Sequence, residues 1–272
     1  MTGAVIAIGG AEDKTGEMNV LKRVLSEAPG QKVHVITTAM SYPEAAEKRY
    51  KDAFGLLGIQ DCAVSYINSR SEANDPLLAA RLRRADVIFF SGGDQLRLNF
   101  NLGGTAALDA IKQAHKDGSV IAGTSAGAAI LPSLMLAGGL VEEAGQKGKI
   151  RTASGFGFIE NGVIDTHFSE RGRMPRLFHM AAANPALQGI GVDEDTALVI
   201  RNNQAEVVGS GTVSIVDADN IQTDYLERDI GEEFEVKNIA VHRLGAGERY
   251  DFTKRHKIEA VEHTSPALSI PA

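Results

Sequence analysis

The sequence predicts a three-layer α/β fold: a mainly parallel central sheet, helices on both of its faces, and antiparallel hairpins added toward the C-terminus. Three observations carry this reading. Short apolar or β-branched runs alternate with helical patterns through the first half of the chain, which is how β-α-β units are written in sequence. The run Val87–Phe90 is apolar throughout, as a strand covered on both faces must be. Glycine makes up 29 of the 272 residues, above the usual ~7%, as the tight turns at strand ends of such folds require.

The elements follow in order. Ala4–Ile8 is an apolar strand ending in Gly9-Gly10. Asn19–Ala28 places Val20, Leu21, Val24 and Leu25 at helical spacing and stops at Pro29-Gly30. Val33–Thr37 is a β-branched strand, and Pro43–Leu57 a helix with Gly58 as its stop. Ala63–Ile67 is a short strand. Asp75-Pro76 pairs an N-cap with proline at the first helical position and opens a helix to about Arg84. After the strand Val87–Phe90 come a helix over Thr105–Lys116 and a strand over Ser119–Ala122. Beyond about residue 150 strands shorten and turns multiply. Ala197–Ile200 and Ala205–Val208 flank Asn202-Asn203, a hairpin signal, and Ile239–Leu244 and Arg249–Phe252 flank Gly245-Ala-Gly247, a second one. No linker, repeat or low-complexity tract interrupts the chain, so residues 1–272 are expected to form one domain, with 264–272 as a disordered tail.

Parallel sheets bind ligands at the carboxyl ends of their strands. The loops to watch are therefore Gly9–Asp13, Thr38–Tyr42, Ser91–Gln95 and Thr124–Gly127.

Composition excludes several classes. Lys plus Arg number 28 against 35 Asp plus Glu, a net charge of −7, which argues against nucleic acid as a partner. No apolar run reaches the ~18 residues of a membrane span. Met1-Thr-Gly leads directly into the first strand without the basic start of a signal peptide. The single cysteine, Cys62, forms no internal disulfide and no Cys/His zinc cluster. The expectation is a protein of the reducing cytoplasm, without metal or cofactor.

Gly123-Thr-Ser125-Ala-Gly127 follows a strand and precedes the small-residue stretch Ala126–Ile130. A nucleophile elbow needs that strand–turn–helix context, because side chains two positions either side of the serine would collide. The helix that follows aims unpaired N–H groups at the site, where an oxyanion would develop. A glycine-rich strand-to-helix turn or a phosphate-binding loop is the other reading of the same pentapeptide.

A serine nucleophile needs a base, and the base an orienting acid. Of the seven histidines, His34 lies in an early strand and reads as a core residue. His115 adjoins Lys116 at a helix end, where positive charge complements the dipole. His242, His256 and His263 fall in the late polar region. His167 and His179 remain. His167 lies in the strand-like Ile164–Phe168, where Asp165 shares its face at period two. The acid is open among Asp165, Asp193, Glu194 and Asp195; the last three are adjacent before an apolar strand and also read as a solvated turn. Arg171, Arg173 and Arg176 fall close after His167. Arginine is the side chain for bidentate carboxylate recognition, and a solvated basic turn is the alternative.

Together these motifs resemble the cyanophycinases, serine peptidases related to aspartyl dipeptidase (peptidase E) on the class I glutamine-amidotransferase-like α/β fold. The matching stretches are Gly9-Gly-Ala-Glu-Asp13, Phe90-Ser-Gly-Gly-Asp-Gln95, Gly123-Thr-Ser-Ala-Gly-Ala128, Asp165-Thr-His-Phe168 with the three arginines, and Gly191-Val-Asp-Glu-Asp-Thr-Ala-Leu198. They stand in the family's order, and the resemblance runs from Val5 to about Phe252. It implies Ser125 as nucleophile, His167 as general base and Glu194 as orienting acid. It implies an oxyanion hole from the backbone N–H groups of Gly93 and Ala126. Gln95, Asp165, Thr166, Arg171, Arg173 and Arg176 match positions that line the family's substrate pocket. Thr166 is a departure, since the family usually has glutamine there.

The implied substrate is cyanophycin, a polyaspartate whose side chains carry arginine through isopeptide bonds, and the implied product is β-aspartyl-arginine. The pocket arginines would meet its free carboxylates and Asp165 its guanidinium. A homodimer is the implied assembly. Cleavage of short aspartyl or isoaspartyl peptides is the nearest alternative. A non-catalytic binding protein on the same fold is the second. A glutamine amidotransferase would need cysteine at the elbow, where this chain has Ser125.

Overall fold

The computed structural model describes residues 1–259; the expected tail lies outside the described residues. In chain order the first half comprises β1 (Val5–Ile8), α1 (Asn19–Ser26), β2 (Val33–Ile36), α2 (Pro43–Leu56), β3 (Cys62–Ser65), α3 (Arg70–Ala73), α4 (Pro76–Leu82), β4 (Val87–Phe90), α5 (Gln95–Leu102), α6 (Ala106–Lys116) and β5 (Val120–Thr124). Strands β1, β5, β4, β2 and β3 lie side by side in that order, all parallel. The pleat sends alternate side chains of β1 to opposite faces. Val5 and Ala7 join one apolar cluster with residues of α4 and α6, while Ile6 and Ile8 join another with α1 and α2. Helices thus cover both faces, as expected.

The helix after Asp75 starts as predicted, with the Asp75 carboxylate accepting a hydrogen bond from the Leu77 N–H at 2.9 Å. Helices α3 and α5 were not anticipated. In α5 the apolar residues Leu96, Leu98, Phe100 and Leu102 alternate with polar ones, a strand-like period. The helix wins because Asp94 caps it, accepting from the Leu96 N–H at 2.8 Å. Of these four apolar residues, Leu98 and Leu102, one turn apart, are then buried, and Leu96 and Phe100 stay exposed.

His34, in β2, is a satisfied core residue as expected: it is buried and its Nε2 lies 2.9 Å from Ser65 Oγ. Burial pushes its pKa down from 6.5 to about 4. Between those values the unfolded chain binds a proton that the folded chain refuses, so stability rises with pH across that window. Stability is expected to fall by up to about 3 kcal/mol from pH 6.5 to pH 4 through this group. The His34→Gln variant flattens the fall, which urea titrations at several pH values read directly. His115 departs from its expected role. It is half-buried, and burial lowers its pKa, so it does not favour the charged form at the helix end.

The second half comprises α7 (Ala126–Ala129), β6 (Leu134–Gly138), β7 (Arg151–Ser154), β8 (Gly162–Thr166), α8 (Met174–Ala183), β9 (Gln188–Val192), β10 (Thr196–Arg201), β11 (Gln204–Gly209), β12 (Val213–Asp217), β13 (Gln222–Thr223), β14 (Val236–Lys237), β15 (Ala240–Leu244), β16 (Arg249–Asp251) and β17 (His256–Ile258). Strands β10, β11, β16 and β17 extend the main sheet antiparallel from β1, making nine strands in all. The hairpin at Asn202-Asn203 forms as predicted, both asparagines adopting positive φ of 48° and 61°, the two-residue turn that matches strand twist.

The second predicted hairpin does not form. β15 pairs with β12, whereas β16 pairs with β11 and β17 in the main sheet. The glycine-rich turn is a corner between sheets, with Leu244 and Tyr250 on either side of it fully buried. A turn signal marks where the chain reverses, not which strand it meets next. β15, β12, β9 and β8 form a second, four-stranded sheet that was not foreseen. Ile190, Val192, Val213 and Ile215 from it pack into the main core, and Val163 and Val216 pack with α8. This sheet carries the chain from Asp165 to the acidic turn.

Candidate active site

The elbow forms where the sequence places it. Ser125 sits between β5 and α7 with φ 52° and ψ −115°, a strained conformation for a residue with a side chain. Its N–H donates to the Ile8 carbonyl at 2.9 Å, locking the turn to β1. The flanking glycines are sterically required. A Cβ on Gly123 would lie 2.0 Å from the Gly127 oxygen, and one on Gly127 would lie 2.2 Å from the Phe90 oxygen.

Ser125 Oγ lies 2.9 Å from His167 Nε2, and His167 Nδ1 lies 2.6 Å from Glu194 Oε1. A carboxylate can only accept, so Nδ1 carries the proton and Nε2 is left to accept from the serine. The histidine follows the end of β8 with φ 48°, so strand alternation stops at Thr166. Asp165 therefore does not share the ring's face. The His167 N–H donates to the Gly9 carbonyl at 2.8 Å. Its ring lies so close to Gly10 that a Cβ there would stand 2.3 Å from Cε1.

The three adjacent carboxylates point to different partners. Asp193 accepts from the Ser169 N–H, the Thr212 N–H and the Thr212 hydroxyl. Burial acts to raise its pKa, but these hydrogen bonds outweigh it and hold the carboxyl below its ordinary range. Asp195 accepts from the Asp13 N–H and the Ser210 hydroxyl. Glu194 alone reaches His167, and its side chain stays partly open to water. The Gly93 and Ala126 N–H groups have no acceptor among the described residues; Gly93 is exposed and Ala126 is the first residue of α7.

The residues expected to line a substrate pocket divide. Asp165 is buried and already held: Arg173 Nη1 donates to its Oδ1 at 2.9 Å, and Arg176 Nε lies 2.8 Å from Oδ2. Burial pushes this carboxyl up, and the two guanidinia counter part of the rise. The carboxylate expected to meet a substrate guanidinium thus already contacts two guanidinia of the chain itself. Arg176 is buried in α8 and also donates to the Gly139 carbonyl at 3.1 Å. These contacts tie α8 to Asp165 and to the end of β6. Thr166 is buried, and its carbonyl accepts from Arg173. The Gln95 amide donates to the Leu136 carbonyl at 2.9 Å. Arg171 is exposed, and among the described residues its side chain has no ion pair. Helix α8 itself was missed, because Arg171, Arg173 and Arg176 read as a basic turn; Pro175 and the spacing of Leu177, Met180 and Ala181 were the available signal.

Removing one member of a buried ion pair strands the other. Arg176→Met is expected to destabilise the fold by about 3 kcal/mol, with Arg173 retaining part of the interaction. Adding Asp165→Asn should not recover the loss, because Arg173 is then left without its carboxylate partner. A loss below about 1 kcal/mol in urea unfolding would mean that the pair is not a structural lock.

A cavity of about 300 Å³ opens beside Ser125 and His167. All four loops singled out in the sequence meet there, contributing Gly10 and Glu12, Met40, Gly92 and Gly93, and Thr124. None of the six expected pocket residues lines it; Lys14, Arg49 and Tyr50 do. A larger cavity of about 560 Å³ lies at the opposite strand ends, by Thr2 and Gly162, and is lined by none of the three aligned residues. His179 is buried and lies 2.9 Å from the Ala144 carbonyl. Burial pushes Cys62 up to about 11, so it is no ready nucleophile. No helix among the described residues is long and apolar enough to cross a membrane.

Comparison with known proteins gives a consistent result. The model of peptidase family S51 matches residues 5–208. The cyanophycinase of Synechococcus elongatus is 35% identical over 262 residues, covering 94% of this chain and 81% of the relative. That of Trichormus variabilis is 35% identical over 268 residues, covering 96% and 90%. The crystal structure of a peptidase from an acI-B1 Actinobacterium superposes with a TM-score of 0.71 at 23% identity, covering 93% of this chain and 98% of that one.

Proposed function

Because the chain belongs to peptidase family S51, and is thus a serine-type peptidase, we propose that Ser125, His167 and Glu194 are its catalytic triad and cyanophycin its substrate. The observation that carries the triad is the aligned chain of contacts, 2.9 Å from serine to imidazole and 2.6 Å from imidazole to carboxylate. The cyanophycinases at 35% identity over nearly the whole chain support the substrate.

Hydrolysis then proceeds in two halves. His167 Nε2 takes the Ser125 hydroxyl proton as Oγ attacks a backbone aspartyl carbonyl. Glu194 steadies the imidazolium that forms. The carbonyl oxygen gains negative charge and accepts from the Gly93 and Ala126 N–H groups, which are worth most where charge develops. His167 returns its proton to the leaving amine, and an acyl-enzyme remains on Ser125. A water activated by His167 then releases the acid. Of the expected carboxylate partners, Arg171 stays available, with the less exposed Arg173 beside it. The resemblance further suggests a homodimer, which light scattering on the purified protein reads directly. The lone, half-buried Cys62 suits a reducing compartment.

The test is mass spectrometry of soluble products after incubation with insoluble cyanophycin. Release of β-aspartyl-arginine is expected. Free arginine would mean isopeptide cleavage instead. Cleavage of short aspartyl peptides with no attack on the polymer would mean a dipeptidase.

A further inference from the structure

The cavity beside the nucleophile is lined by more cations than carboxylates. Its charged lining, apart from His167, is Glu12, Lys14 and Arg49. Glu12 is buried and fully engaged: Oε1 accepts from the Tyr50 hydroxyl at 3.0 Å and meets Lys14 Nζ at 2.8 Å, and Oε2 accepts from the Thr124 hydroxyl at 2.5 Å. The carboxylate thus has little capacity left for a ligand cation. Lys14 Nζ spends contacts on Glu12 Oε1 and the Glu12 carbonyl, and an ammonium has three donors. Its head also lies 5.3 Å from the centroid of the Tyr50 ring, part of the cavity wall. Arg49 is exposed on α2, and its Nε makes only a 3.4 Å contact with the Ala45 carbonyl. Among the described residues it has no ion pair. One carboxylate against two cations leaves the lining with an excess positive charge.

We propose that Lys14 and Arg49 form a carboxylate-binding subsite for the substrate, separate from Arg171, Arg173 and Arg176. The subsite rests on the cyanophycin reading, which supplies its ligand: every unit of that polymer carries a free arginine α-carboxylate. The cavity holds Ser125 and His167 in the same wall. A carboxylate held there belongs to a unit next to the scissile bond. The two arginine-bearing regions then bind neighbouring units, and register along the polymer is set from both ends.

The test uses a three-unit β-aspartyl-arginine oligomer in which one arginine carboxylate at a time is converted to the amide. For wild type, amidation at one unit is expected to raise KM about tenfold, the size of a lost hydrogen bond to a charged group. In Arg49→Met that same amidation should raise KM less than twofold, because the partner is already gone. Lys14→Met gives a second reading, with thermal melting to show that the loop around Glu12 still folds. Equal KM penalties in wild type and both variants at every unit overturn the subsite while leaving the substrate reading standing. A wild-type protein that cleaves neither oligomer nor polymer, yet still reacts at Ser125 with a fluorophosphonate, overturns both.

Discussion

Ser125→Ala is expected to fold normally and to lose hydrolysis roughly 10⁵-fold or more, the scale seen when a nucleophile that acts as a unit with its base is removed. The serine hydroxyl makes no hydrogen bond other than that to His167 among the described residues. The strain of the elbow lies in its backbone, at φ 52°, which alanine tolerates no worse. Melting should therefore change little while turnover collapses. The small residual rate would come from the unpaired Gly93 and Ala126 N–H groups and from binding. A loss below about 100-fold would mean that the reaction does not pass through this hydroxyl.

Glu194→Gln is the second large effect, a fall of about 10³- to 10⁴-fold. Glutamine can present its amide N–H₂ to Nδ1. The imidazole then takes the other tautomer, with its proton on Nε2, and cannot accept from Ser125. The partial exposure of the Glu194 side chain lets water compete, which favours the lower end of that range. The neighbours behave differently. Asp193→Asn should lower stability, since Ser169 and Thr212 lose a charged acceptor, but it should spare the turnover of the folded protein to within about tenfold. Steady-state kinetics on the three variants at positions 193, 194 and 195, each checked for folding, separates the acid from its neighbours. Equal losses at all three positions would contradict the assignment.

How far the sequence reveals this site depends on how local each feature is. The elbow is local in sequence: five residues running from the end of β5 into α7 carry it, and Gly123 and Gly127 announce the sterics. The parallel half of the sheet is local in the same sense, because each strand and helix carries its own pattern and stop signal. The acid is not local. Asp193, Glu194 and Asp195 are equivalent as letters. Their directions are set by Thr212, just before β12, and by the Asp13 N–H, 182 positions from Asp195. The fate of Asp165 was hidden for the same reason. The three arginines look like ligands for a substrate until α8 turns Arg176 inward onto the carboxylate.

Helix α5 shows a different failure, in which an alternating pattern is overruled by one capping aspartate. The second sheet shows another. Its strands are readable one by one, but their partners are chosen by a corner at Gly245–Gly247 that no periodicity encodes. The cavity residues Lys14, Arg49 and Tyr50 come from a loop and a helix face with no motif. Only the folded chain brings them beside Ser125.

The most direct measurement is the site and rate of fluorophosphonate labelling, read by intact mass and by peptide mapping. One adduct per chain is expected, on the peptide spanning Gly123–Gly127, absent in Ser125→Ala and at least about 10³-fold slower in His167→Ala. An adduct on any other residue, or a rate indifferent to His167, would contradict a serine activated by that imidazole.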